Sequence, residues 1–568
     1  MTTLTWPDAS LSETLRRSLV GPGAPFETTV EDVLGAPMEV FANRPRTILE
    51  ILRSGAERFP GRPYTIFPDR TLTFDSIIEP VTAIAQAMSE VYGIEKGDRV
   101  AIASANRVEY VLAFWAVTAL GALTVALNGW WTGPEMAYAL ELTEPKLLLG
   151  DSARLARLRS SDLAGLPVLC FDSDFAALEA HSGAGCLPST TIDEDDAFVI
   201  LFTSGTTGRP KGAAISHRST IHFGLAMQLR AAEELAKQKN AGVEVVPIEH
   251  PVTIGASPMF HISGLTCSLV IAPMNGQTIV YPVPGRWQEA THLELTQRHR
   301  ATAWTLVPAQ LWRILEWPEL KRYDLSSLRF IGGGSAVWPP ELLKQLAAKL
   351  PNVRPRLALG YGLTETNGLG TSLRGEATYQ HPDSIGSASP TVEVQIRDPL
   401  TKEPLPEGEV GEITLRTATT FVGYWADPDA TRKAIDDDRW FHTGDFGRIR
   451  DGLVYLEGRR SDLIIRGGEN VYPVEIENRL VEHPGVAEAA VVGIPHPTLG
   501  QEVKAYVVAH GPGTLTAPEI QRWCAEALAS FKVPASVEFV SELPRNASGK
   551  VLKHLIGNPA ADSGFIED

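Results

Sequence analysis

Cysteine is scarce in this chain of 568 residues. Only Cys170, Cys186, Cys267 and Cys524 occur, none in a CxxC pair. Their wide spacing suits neither a zinc site nor a disulfide framework, and points to a reducing, cytoplasmic compartment. Positive charge is also in deficit, with 51 Lys and Arg against 68 Asp and Glu, a formal net charge of -17. A nucleic-acid partner is excluded on that ground, because a phosphate backbone needs a basic face. Small anionic ligands are not excluded, since a few local cations can hold a phosphate. The N-terminus, which begins Met1-Thr2-Thr3-Leu4-Thr5-Trp6, lacks the basic n-region and apolar core of a secretory signal, so none is expected. Repeats are absent, as is low-complexity sequence.

Long apolar runs are nearly absent too. The exception is Tyr110 to Leu127, uncharged over 18 residues, which touches the length of a membrane span. Gly121 divides it into a helix and a short strand, so it reads as a buried α/β element and no membrane span is expected.

What is present fits a globular protein: 44% hydrophobic and 21% charged residues. The length exceeds what one hydrophobic core organises, so two or more domains are expected. Strand-length runs at Arg99–Ala103, Ala122–Leu127, Lys146–Leu149 and Val168–Phe171 alternate with helical patterns, as in parallel α/β layers. From Glu393 to Arg416 the texture becomes β-rich, and Gly447–Leu456 reads as a hairpin about Asp451-Gly452. After Gly458 a small α+β pattern follows: helix Pro473–Glu482, strands Ala487–Ile494 and Glu502–Ala509, helix Ala517–Leu528, strand Ser536–Phe539. The small acidic stretch Pro559–Asp568 reads as a frayed tail.

The strongest local signal is Leu201-Phe202-Thr203-Ser204-Gly205-Thr206-Thr207-Gly208-Arg209-Pro210-Lys211-Gly212. It lies between two apolar strands, Ala197–Phe202 and Ala213–Ser216. Glycines let backbone N–H groups approach an anion, hydroxyls add donors, and Lys211 supplies a mobile charge. The GxxxxGK[ST] spacing of a Walker A loop is not met, and a strand rather than a helix follows.

This segment resembles the signature loop of the adenylate-forming superfamily, which includes acyl-CoA synthetases, adenylation domains of peptide synthetases and beetle luciferases. The likeness extends along most of the chain. It implies an α/β fold: a large N-terminal domain of layered α/β subdomains with a β-rich subdomain, then a small mobile α+β C-terminal domain. The boundaries expected are 1–458, a hinge at 459–462, and 463–568.

The resemblance assigns roles residue by residue. In Gly360-Tyr361-Gly362-Leu363-Thr364-Glu365, Tyr361 would stack on adenine, Thr364 would bond the α-phosphate and Glu365 would hold Mg²⁺. A hard cation of this kind wants carboxylate and phosphate oxygens. Gly332-Gly333-Gly334-Ser335 would form the other side of the adenine slot and one wall of the acyl tunnel. Thr203, Ser204, Gly205, Thr206, Thr207, Gly208 and Lys211 would cradle phosphates. Asp445, in Thr443-Gly444-Asp445, would take the ribose hydroxyls, aided by Arg459. His261, in Pro258-Met259-Phe260-His261, would line the site beside the acid. Lys550, in Ser548-Gly549-Lys550, would bridge carboxylate and α-phosphate. Ser461 would be the hinge, with Asp462 as alternative because relatives often carry Asp or Lys there. Gly467 and Gly468 would admit the pantetheine arm.

The activity implied is ATP-dependent formation of an acyl-adenylate followed by transfer to coenzyme A, with ATP, Mg²⁺ and coenzyme A as the cofactors and a small carboxylic acid as substrate. A homodimer is allowed. No carrier domain and no DxFxxLGG(H/D)S-like attachment motif follow, and Gly467-Gly468-Glu469-Asn470-Val471-Tyr472-Pro473 resembles the CoA ligases. Transfer to a carrier-protein phosphopantetheine is the alternative. The tunnel wall at Gly264–Leu269, Trp304–Leu311 and Gly332–Val337 is largely apolar, which favours a fatty acid, then aryl or steroid-side-chain acids.

Overall fold

The computed structural model describes residues 2–6, 13–163, 165–182, 187, 190–203, 209–240, 242, 248–334, 338–459, 462–466, 469–511, 515–545 and 550–556, with Arg459 by its backbone alone. The expected tail 559–568 and Cys186 lie outside the described residues.

Two large sheets and a two-stranded ribbon, Thr28–Val33 with Ala36–Phe41, build the described N-terminal part. The first has the order Val168–Cys170, Leu147–Gly150, Arg99–Ala103, Leu123–Ala126, Ala197–Thr203, Lys211–Ser216, Gly423–Tyr424. Its first five strands run parallel, and the last two are antiparallel additions. Helix Val108–Ala119 is buried on all sides, which explains a run that is apolar throughout rather than on one stripe. Gly121, with φ of 68°, turns the chain into strand Leu123–Ala126. The uncharged run is therefore an interior helix and strand, and no described helix is long and apolar enough to cross a membrane.

The second sheet joins fourteen described strands. A parallel half runs from Pro63–Ile66 through Phe330–Gly333 to Leu357–Tyr361. From Thr371–Arg374 onward every pairing is antiparallel. The β-rich segment is thus hydrogen-bonded onto the parallel layer and shares its core. The hairpin about Asp451-Gly452 forms as expected, with both residues at positive φ, 52° and 76°.

Beyond Asp462 a separate core gathers Ile464, Val471, Ile476, Leu480, Val491, Val503 and Ile520. Strands Val486–His496 and Gly500–Ala509 form its central pair, flanked by Ile464–Arg466 and Ser536–Phe539. Helices Pro473–Val481 and Ala517–Ala525 cover it, the second ending three residues before the expected Leu528. Helix Pro473–Val481 of this unit packs against strand Leu453–Arg459, and elsewhere His510 Nδ1 lies 3.2 Å from Glu316 Oε1 while its ring meets Trp312 edge-on.

Candidate active site

The ends of the hydroxyl-rich loop are fixed by the antiparallel pairing of Ala197–Thr203 with Lys211–Ser216, which sets Thr203 opposite Lys211. Lys211 is thus already on a strand, two residues earlier than the apolar pattern suggests. Ser204, Gly205, Thr206, Thr207 and Gly208 lie outside the described residues, as do Ser335, Ser461, Gly467, Gly468 and the side chain of Arg459. The guanidinium of Arg209 covers the ring of Tyr138 at 5.2 Å.

The next strand over, Gly423–Tyr424, brings in a residue that the sequence did not single out. Ala213 faces Tyr424 across the ladder, and the Lys211 ammonium lies 5.0 Å from the Tyr424 ring centroid. The Tyr424 hydroxyl donates to Glu365 Oε1 at 2.7 Å. Glu365 is 7% exposed, and its carbonyl accepts from the N–H of Phe421 at 2.8 Å. Burial, then the Glu365 charge, pushes the Tyr424 phenol far up, so it stays a donor at physiological pH. Lys211, Tyr424 and Glu365 therefore form a cation–aromatic–carboxylate line from two neighbouring strands of the first sheet to the short turn Thr364–Thr366. In sequence Tyr424 is one aromatic in Phe421–Trp425, and only the strand pairing separates it from its core neighbours.

Tyr361 and Asp445 are also brought together. The Tyr361 hydroxyl donates to Asp445 Oδ2 at 2.8 Å. Asp445 is 5% exposed, and its N–H donates to Thr443 Oγ1, which in turn donates to the carbonyl of Ile413. Gly444 has φ of 72°, and its N–H reaches Glu412 Oε1. Arg459 faces Asp445 in the backbone ladder.

The glycines here are small because backbone comes close. A Cβ on Gly333 would lie 2.2 Å from the Leu306 carbonyl and 2.7 Å from the Trp338 ring. One on Gly362 would lie 2.3 Å from the Gly368 carbonyl, and one on Gly334 would lie 2.8 Å from the Gly360 carbonyl. Gly360 has no such neighbour: it is exposed, and opens onto the cleft beside Tyr361. Thr364 starts the short turn that carries Glu365.

His261 is held by its neighbour. Its Nδ1 lies 2.9 Å from Ser263 Oγ and accepts the Ser263 N–H at 3.3 Å, which leaves the ring proton on Nε2. Burial lowers its pKa to about 4, so it is neutral at pH 7 and contributes no cation. Phe260 meets the 55% exposed Trp130 edge-on. Lys550 lies on the C-terminal unit, between Arg545, paired with Glu488 at 2.8 Å, and Lys553, paired with Glu477 at 2.6 Å.

A carboxylate braced by a tyrosine that a lysine covers and a Tyr–Asp pair, carried on layered α/β sheets with a small appended unit, are the described parts of the candidate site. Residues 52–425 match the family profile "AMP-binding enzyme", and residues 475–550 match "AMP-binding enzyme C-terminal domain". The chain belongs to the AMP-binding enzyme family. It is 33% identical to the putative acyl-CoA ligase YdaB of Bacillus subtilis, covering 87% of this chain and 95% of that one. It is also 33% identical to a 3-[(3aS,4S,7aS)-7a-methyl-1,5-dioxo-octahydro-1H-inden-4-yl]propanoyl:CoA ligase of Rhodococcus jostii, covering 90% and 98%. The ATP-bound structure of MatB from Rhodopseudomonas palustris superposes with a TM-score of 0.76 at 29% identity, over 89% of this chain and 98% of that one. These relatives put the chain on the acyl-CoA synthetase branch of the family.

Proposed function

We propose that this protein is an ATP-dependent acyl-CoA ligase. It activates a hydrophobic carboxylic acid, of the fatty or the aryl and alicyclic kind, as an acyl-adenylate with release of pyrophosphate. It then forms the acyl-CoA thioester. The observation that carries the reading is the Lys211–Tyr424–Glu365 line, which links the seven-stranded sheet to the turn that follows Tyr361 of the Tyr361–Asp445 pair.

The chemistry explains why such groups are needed. The acid is already a carboxylate at neutral pH, so no general base is required; the obstacle is repulsion between two anions. Unit charges 4 Å apart repel by ~1 kcal/mol in water and by ~4 kcal/mol at an effective dielectric near 20. Cations must therefore dominate, and neutral His261 cannot be one of them. Lys211 supplies one from the loop, and Lys550 brings another on the C-terminal unit. Glu365 fits a Mg²⁺ ligand: it is a hard oxygen donor, buried, and held in one orientation by Tyr424. When bound, the ion would offset triphosphate charge. Asp445 and Tyr361 orient the nucleoside.

The working division is 1–458 for nucleotide and acid, 459–462 for the hinge and 463–568 for the moving unit. The His510–Glu316 contact is one that rotation would break.

Exchange of labelled pyrophosphate into ATP, tested across a panel of organic acids, checks the first half-reaction. Thioester formation with coenzyme A against a carrier protein checks the acceptor. Lys550→Ala is expected to abolish adenylate formation and spare thiolysis of supplied acyl-AMP; equal loss of both would refute the Lys550 role.

A further inference from the structure

An arginine that the nucleotide chemistry does not use lies deep behind the Tyr361 loop. Strands Leu357–Tyr361 and Thr371–Arg374 pair antiparallel, with Gly360 opposite Ser372 and Ala358 opposite Arg374. Opposed residues share a face, and so do residues two apart. Gly360, Ser372 and Arg374 therefore line one face, while Leu359 and Leu373 enter the core on the other. Gly360 is exposed, so this face opens on the cleft beside Tyr361. Arg374 lies two residues along from the Gly360 register, ~7 Å further in.

Helix His217–Asn240 supplies the facing wall. The position of a Cβ on Gly368 is 3.0 Å from Cys267 Sγ and 3.7 Å from Phe223, so these three groups meet. Met227 is one helical turn on from Phe223, on the same side. Its sulfur accepts a hydrogen bond from Arg374 Nη2 at 3.5 Å. A thioether is a weak acceptor for a guanidinium. Arg374 Nε is buried with no partner, and so is the hydroxyl of Ser372 on the same face. Among the described residues no carboxylate pairs with Arg374. Nearby Arg230 is different: Glu233 pairs with it at 3.1 Å, and it donates to the Ala388 carbonyl at 2.7 Å. Burial and the neighbouring Arg230 charge lower the Arg374 pKa to about 10, opposed by Glu233 and Glu234, so it remains a cation at pH 7. Yet Arg374 keeps accessible surface, as Met227 and Cys267 do. A desolvated cation with idle donors at the end of an apolar wall lacks its counter-charge.

We propose that the acid activated here carries a second carboxylate, bound by Arg374 with Ser372 beside it at the far end of the acyl pocket. The substrate class is then a dicarboxylic acid with an apolar middle: one carboxylate reacts at the nucleotide, and the other fixes the tail. This deepens the ligase reading and rests on it. Phe223, Cys267 and Met227 contact the middle of the acid, and a site built around a charged donor discriminates against an analogue that lacks the acceptor.

The test compares pyrophosphate release with straight-chain α,ω-diacids, their monomethyl esters and monocarboxylic acids of matched length. The half-ester keeps the carbon chain, adds one methyl group and removes the distal charge, and the monocarboxylic acid of matched length removes the charge without the added methyl. Wild-type protein is expected to favour the diacid over its half-ester in kcat/KM by about 10- to 100-fold. Arg374→Met should collapse that ratio, and Arg374→Lys, which keeps a point charge on a similar stem, should retain part of it. Wild-type preference for half-esters or monocarboxylic acids would overturn the proposal, as would an unchanged ratio in Arg374→Met. The wild-type ratio decides by itself if the methionine variant does not fold. Release with monocarboxylic acids but no diacid preference would sink this inference alone; no release with any acid would remove the ligase reading beneath it.

Discussion

At the scale of single residues, the site is an arrangement of charge in which one unassigned tyrosine positions an assigned carboxylate. Tyr424 links the Lys211 ammonium to Glu365, and its phenol cannot ionise within the working range. Tyr424→Phe keeps the ring and removes the donor. A hydrogen bond to a charged group contributes about 1.5–3 kcal/mol, so the adenylation rate should fall about 10- to 100-fold. If Glu365 holds Mg²⁺, the Mg²⁺ concentration for half-maximal rate should rise as well, whereas a merely structural tyrosine would leave it unmoved. Magnesium titrations of pyrophosphate exchange measure both. Lys211, Glu365, Tyr361 and Asp445 could be singled out in the sequence because their motifs are local strings. Tyr424 and Arg374 were not, because each acquires its role from a strand or helix far away in the chain.

At the scale of elements, the strand pairings explain glycines that a motif reading gives to the nucleotide. Gly333 ends strand Phe330–Gly333, and a methyl group there would press on the Leu306 carbonyl and the Trp338 ring. Backbone cannot yield as a flexible side chain can. Gly333→Ala should therefore destabilise the fold by about 1–3 kcal/mol, read from urea denaturation midpoints, before any effect on nucleotide affinity. Unchanged midpoints with weakened ATP binding would instead make Gly333 a nucleotide contact. Alternation and turn residues located strands such as Arg99–Ala103, Ala197–Thr203 and Ser536–Phe539 to within a residue or two, and left Val252–Ile254, Thr278–Val280 and Thr371–Arg374 unmarked. Their order had no local signature: nothing in the sequence says that Thr371–Arg374 returns beside Leu357–Tyr361, yet that return sets Arg374 behind the cleft.

At the scale of the whole molecule, four buried histidines set a limit at acid pH. Burial lowers His217 and His261 to about 4, and His222 and His292 to about 3. In the unfolded chain each would titrate near 6.5. Below that pH the unfolded state binds protons that the native state refuses, so stability falls as pH falls, down to the native values. Each histidine contributes a slope of about 1.4 kcal/mol per pH unit inside that window. Carboxylates held low by arginine partners, such as Glu31 and Glu194, add loss in the same direction at lower pH. Urea midpoints should therefore drop between pH 6.5 and pH 5; a flat profile there would contradict neutral buried histidines.

By itself the sequence determined the class of chemistry and the α/β layering, because hydrophobic period, turn residues and loop motifs act over short stretches of chain. The tertiary structure alone decided that Tyr424 braces Glu365, that Tyr361 bonds Asp445 and that Arg374 waits behind Gly360. Those contacts join residues dozens to more than a hundred positions apart, and only strand order, register and helix packing bring them within bonding distance.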